Sequence, residues 1–167
     1  MEPEPPVPRS TPYRRRPRKP QRPGRKLLGV DIGERRIGLA VTDDTGVMAF
    51  PLRIIDLKRE PLAAVAEAAR EQRVAGIVVG LPKGGGGVEG YQAREVRAVV
   101  AELEPLLDVP FVYADELLTS AIAERVLADS GVSARDRRGK LDAIAASIML
   151  QGYLDEHPIQ LSSTIDD

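Results

Sequence analysis

The sequence predicts an α/β domain, a mixed sheet of three antiparallel N-terminal strands and then alternating strands and helices, with helices on both faces. Three observations predict it. Residues 27–55 hold three short apolar runs separated by turn residues. From residue 60 onward, segments of helical periodicity alternate with apolar runs. Aromatic residues make up only 4% of a chain that is 43% apolar, and there is no tryptophan. A core of Ala, Val, Leu and Ile suits strands covered by helices better than a sandwich of aromatic pairs.

Each element follows in order. Leu27-Leu28-Gly29-Val30-Asp31 is the first strand, a glycine turn follows it, and Ile37 to Asp43 runs back beside it. Asp43-Asp44-Thr45-Gly46 is a turn of Asp/Gly type. The third strand, Val47 to Ile55, contains Pro51 and so belongs at or near an edge. Within 60–73, Leu62, Val65, Ala66 and Ala69 recur at helical spacing. Gly76 to Gly80 is a continuous apolar run, as in a parallel strand buried on both faces. A glycine-rich loop, Leu81 to Gly90, leads to a helix ending near Leu107, with Val96, Val99, Val100 and Leu103 on one face. Val109 to Ala114 is a further strand, and Thr119 or Ser120 can cap a helix to about Asp129. Residues 131–140 read as a polar, mobile connection, and the last helix runs from about Lys140 to Glu156, ended by Pro158. The order β-β-β-α-β-α-β-α-α is that of a ribonuclease H-like domain, in which the first strand is central.

Composition narrows the chemistry. At 167 residues the chain has the length of one domain. With no cysteine there is no disulfide, thiolate zinc site or cysteine nucleophile. A single histidine, His157, argues against a His-based zinc site or a serine–histidine triad. Carboxylate chemistry remains. No apolar stretch approaches the ~18 residues of a membrane span, and no signal-peptide core is present, so the expected compartment is the cytoplasm.

The net charge of −1 hides an asymmetry. Residues 1–26 carry nine basic and two acidic residues, net +7, against −8 for the rest. Eight of the fourteen prolines fall in the same stretch. The expected organisation is a disordered basic tail over 1–25, a folded domain over 26–157 and a disordered C-terminal tail over 158–167. A basic arm such as Arg14-Arg15-Arg16-Pro17-Arg18-Lys19 is drawn to phosphate backbones by counterion release, although it reads equally as a solubilising extension.

Asp31 closes an apolar strand, where a carboxylate is costly to desolvate without a cationic partner. Glu116 follows the run Phe111-Val112-Tyr113, and Asp142 stands at the start of the last helix. Three carboxylates at strand ends and a helix start point to a site for divalent metal. Taken singly, Asp142 is also explained as a helix-start acid favoured by the macrodipole, and Glu116 as a solvated loop acid beside Asp115. Asp31 has no such alternative.

The segment Gly29-Val30-Asp31-Ile32-Gly33-Glu34-Arg35-Arg36-Ile37-Gly38-Leu39-Ala40 resembles the YqgF-type family, small bacterial proteins described as pre-16S ribosomal RNA nucleases and as Holliday-junction-resolvase homologues. Three further blocks match in order: Gly80-Leu81-Pro82 with Gly87-Val88-Glu89-Gly90, Asp115-Glu116-Leu117-Leu118-Thr119, and Gly139-Lys140-Leu141-Asp142 followed by Ala145-Ala146 and Leu150-Gln151. Together they span residues 27–156. Leu117 stands where the family usually has arginine, and Gly86 where it often has aspartate.

The resemblance implies a metal-dependent nuclease with Asp31, Glu116 and Asp142 as catalytic and metal-binding residues and Mg²⁺ or Mn²⁺ as cofactor. Two such ions about 3.5–4 Å apart could act on a phosphodiester, with Asp31 bridging them. Arg36 and Lys140, each flanking an acid, are candidate phosphate contacts. The loop residues Lys83, Gly87 and Glu89 are candidate substrate contacts, since glycine lets backbone N–H groups approach a phosphate.

The implied partner is nucleic acid, either the 5′ end of pre-16S rRNA or a branched DNA junction. A monomer or a homodimer fits, and no membrane is implied. Two other classes compete. A non-catalytic rRNA-binding assembly factor would use the basic arm and the glycine loop. A sugar-kinase or actin-like ATPase shares the Gly-x-Asp-x-Gly opening, but needs two such domains where this chain has length for one.

Overall fold

The computed structural model describes residues 26–82, 90–116, 125–126, 128–131 and 133–157. The sheet has five strands: β1 (Leu27–Ile32), β2 (Arg36–Thr42), β3 (Ala49–Asp56), β4 (Gly76–Leu81) and β5 (Phe111–Asp115). Their order across the sheet is β3-β2-β1-β4-β5. The chain turns back twice to make an antiparallel β1–β2–β3 meander, then adds β4 parallel to β1 and β5 parallel to β4. The first strand is therefore central, and β3, with its exposed Pro51, is an edge. At that edge the missing proline N–H costs no ladder bond.

Three helices of the described residues cover the sheet: α1 (Pro61–Gln72), α2 (Tyr91–Leu103) and α3 (Ala134–Glu156). A short 3₁₀ turn, Glu104–Leu106, extends α2, because Pro105 has no N–H to continue the α-helical ladder.

The two sheet faces are built differently. Leu28, Val30, Ile37, Leu39, Ile77 and Val79 form one face and pack against Val65, Ala68 and Ala69 of α1 and Val96, Val100 and Leu103 of α2. The other face carries Ala40 and Val78, and α3 covers it with Ala146, Met149 and Leu150. Large and small residues therefore alternate along β1 and β2, since successive side chains point to opposite faces. The small face lets α3 lie close: a Cβ at Gly29 would stand 3.0 Å from Cβ of Leu150. Gln151 ties α3 to the β2–β3 turn, its Oε1 accepting from Ala49 N at 2.9 Å and its Nε2 donating to the Val47 carbonyl at 3.1 Å.

Two expected boundaries are corrected. The third strand begins at Ala49 rather than Val47, because Asp43 Oδ1 accepts from the Val47 and Met48 amides and keeps them in the turn. The last helix begins at Ala134, not near Lys140. Ser133 is its N-cap, accepting from Asp136 N at 3.2 Å while its hydroxyl donates to Asp136 Oδ2 at 2.7 Å. That cap stabilises a first stretch whose Arg135, Asp136, Gly139 and Lys140 are exposed. The tails 1–25 and 158–167 and the capping position at Thr119 or Ser120 lie outside the described residues.

Candidate active site

Asp31 is the penultimate residue of β1 and pairs across the ladder with Gly38 of β2. On the other flank, Gly80 of β4 stands one residue beyond Val79, the partner of Val30. Each of these glycines makes room for another acid. A methyl group at Gly38 would collide with the backbone carbonyl of Asp142, so α3 crosses directly over that position. A Cβ at Gly80 would lie 3.3 Å from Glu116 Oε1, so the Glu116 side chain folds across β4. Asp31, Glu116 and Asp142 consequently line one cleft of about 220 Å³ at the C-terminal end of the central strand, together with Gly33, Glu34, Pro82, Gln92 and Glu95. Residues from β1, from just beyond β5 and from α3, far apart in the chain, meet there.

The electrostatics follow from that crowding. Burial, and secondarily the charge of Asp142, push the Asp31 carboxyl up to about 6. Asp142 is held by Arg36, whose Nε lies 3.1 Å from Oδ2. The approach lacks hydrogen-bond geometry, and this buried oxygen accepts no hydrogen bond among the described residues. Asp142 lies more than two turns into α3, so the helix dipole expected to favour it is too distant to do so.

The other candidates are distributed more widely. Lys140 is exposed and, with Arg53, borders a separate groove between α3 and β3 lined also by Pro51, Leu52 and Ile54. Lys83, Gly87, Glu89, Gly86 and Leu117 lie outside the described residues. Among those described, no three acids draw together into a ready ligand set. Sequence reasoning missed Gly38 and Gly80 as the residues that admit Asp142 and Glu116. A glycine inside an apolar strand, marking close approach of another chain segment, was the available signal.

A five-stranded mixed sheet with a central carboxylate strand, its acids gathered at one end, defines a protein of the ribonuclease H-like class. The family described as RuvX, Holliday junction resolvase, matches residues 25–156, and the chain belongs to it. Among its relatives, a protein of Roseiflexus sp. (strain RS-1) named "Putative pre-16S rRNA nuclease" is 42% identical over 135 residues, 80% of this chain and 95% of the relative. One of the same name from Anaeromyxobacter dehalogenans (strain 2CP-C) is 47% identical over 132 residues, 78% of this chain and 96% of the relative. Among solved structures, the fowlpox virus resolvase with Holliday junction DNA shares the fold, at a TM-score of 0.50 and 14% identity over 78% of this chain and 97% of that one. No helix among the described residues is long and apolar enough to cross a membrane.

Proposed function

We propose that this chain is a nuclease that hydrolyses phosphodiester bonds with Mg²⁺ or Mn²⁺, and that it processes the 5′ end of pre-16S rRNA. The observation that carries the proposal is the convergence of Asp31, Glu116 and Asp142 on one cleft. The substrate is supported by the names of relatives 42% and 47% identical to the chain.

The donor set fits a hard divalent cation. It is all oxygen, the buried Oδ2 of Asp142 accepts no hydrogen bond among the described residues though Arg36 lies beside it, and Asp31 resists ionisation among its neighbours. Asp31, Glu116 and Asp142 would hold the ions. Two ions bound there would supply a water acidic enough to attack at neutral pH and positive charge for the leaving 3′ oxygen. Arg36 fixes the orientation of Asp142 and lowers the net negative charge beside the cleft. Lys140, exposed on the α3–β3 flank, offers a phosphate contact away from the reacting centre. Lys83, Gly87 and Glu89 remain candidates for the strand's backbone.

Resolution of four-way DNA junctions is the second reading, favoured by the family's own description. The same metal chemistry serves both. Labelled pre-16S RNA and a synthetic four-way junction, each incubated with Mn²⁺ or Mg²⁺ and either wild type or Asp31→Asn, separate them. RNA cutting that the substitution abolishes is the expected result. Junction cutting alone would assign the protein to recombination. If neither is cut, or if Asp31→Asn cuts as well as wild type, the proposal fails and a non-catalytic RNA-binding factor takes its place.

A further inference from the structure

The cleft presents a physical problem to its own substrate. Its described lining includes the carboxylates of Asp31, Glu34, Glu95, Glu116 and Asp142 and no basic side chain. Without bound cations such a surface repels a phosphate backbone, and even with them little beyond the ions attracts the flanking strand. A contact that does not depend on charge would help hold a strand at its mouth.

Tyr91 offers one. It is the first residue of α2 and, at 71%, the most exposed large apolar side chain among the described residues. It contributes nothing to the α2 core, which is Ala93, Val96, Val100 and Leu103. Its neighbours Gln92 and Glu95 line the cleft. Glu95 stands four residues on, on the same side of the helix, and its carboxylate holds the Tyr91 hydroxyl above its ordinary value, as a neighbour at the wall of the cleft would. The faces of the other two described tyrosines are taken. The guanidinium of Arg97 lies 4.6 Å from the Tyr113 ring centroid, and Tyr153 stacks on His157 at 4.4 Å. Among the described residues, no such partner covers Tyr91.

We propose that Tyr91 is a stacking platform for an unpaired nucleobase at the mouth of the acidic cleft. This rests on the proposed nuclease function and adds a substrate class: strands with bases out of the duplex stack, such as ends, loops and branch points, rather than continuous duplex. Every base has a π-face, so the contact tolerates sequence, and because it is uncharged it persists as salt rises. A base still stacked within a helix cannot reach it.

The chain contains no tryptophan, so Tyr91→Trp introduces a single indole reporter. Placed in the full chain with Asp31→Asn to prevent turnover, it is titrated in Mg²⁺ with a short single-stranded RNA and with the blunt duplex of the same sequence. Quenching of the indole emission by the single strand and not by the duplex is expected. In the same background, Tyr91→Ala raises Kd for the single strand about tenfold without changing the slope of log Kd against log salt, whereas Tyr91→Phe stays within about twofold. Emission unchanged by the single strand, equal quenching by duplex, or an unaltered Kd for Tyr91→Ala overturns the proposal. So does a Tyr91→Ala effect that appears only as a shallower salt slope. Cutting of the same RNAs by wild type is scored separately, so failure of the nuclease assignment is distinguishable from failure of the stacking contact.

Discussion

At the scale of single residues, Asp31 links stability to pH. Its folded-state value of about 6 lies above the ordinary 3.8, so between those two values the folded chain binds more protons than the unfolded chain. The resulting stability is fully present below the unfolded value and is lost as pH rises through the folded one. The loss amounts to about 3 kcal/mol. Asp31→Asn removes it. In chelator, the variant is expected to resist urea better than wild type at pH 8 and about equally at pH 4. The check is a pair of denaturation curves at each pH, and an equal offset at both would mean that Asp31 ionises without strain. Divalent cation should act unequally on the two proteins, raising the midpoint of wild type more than that of the variant. Asp31 was legible from sequence for the same reason that it is strained: a carboxylate in an apolar strand has little to stabilise its charge.

At the scale of elements, α3 brings Asp142 onto Gly38 and β5 delivers Glu116 over Gly80, and the two glycines should respond differently to a methyl group. Gly38→Ala meets backbone. The helix must lift, at a cost of about 3 kcal/mol, and Asp142 moves with it. Gly80→Ala meets only the end of a flexible side chain. It should change stability by less than about 1 kcal/mol yet displace Glu116 and slow cutting about tenfold or more. Melting curves and single-turnover rates for both variants test the contrast; a Gly80→Ala enzyme of normal rate would remove Glu116 from the reacting centre. Most of the sheet was readable from its apolar runs and turn residues. The start of α3 was not, because Arg135, Asp136, Gly139 and Lys140 are exposed and leave no periodic stripe. The Ser133-x-x-Asp136 cap was the signal there. The alternation of small residues on β1 and β2 was likewise visible, but its meaning depends on which helix covers which face. That is decided only by the crossovers to β4 and β5.

At the scale of the whole molecule, charge is divided along the chain: +7 over residues 1–26 and −8 over the remainder. An acidic nuclease domain gains attraction for nucleic acid from a basic extension, at the cost of salt sensitivity. A chain lacking residues 1–25 should bind RNA more weakly at low salt, with a shallower dependence of log Kd on log salt, while keeping metal-dependent cutting at saturating substrate. Binding titrations across a salt series and a cutting assay measure both. Loss of most of the affinity, with cutting by neither the full nor the shortened chain, would favour the assembly-factor reading. The central place of β1 also bears on how the protein is made. The strand that bears Asp31 is made before its parallel neighbour, beginning at Gly76, and well before the helix that begins at Ala134. During synthesis the β1–β2–β3 meander must wait with one glycine-lined face uncovered. The acid cleft is completed only when the final helix docks, so a nascent or truncated chain carries Asp31 without the Asp142 that closes the cleft beside it.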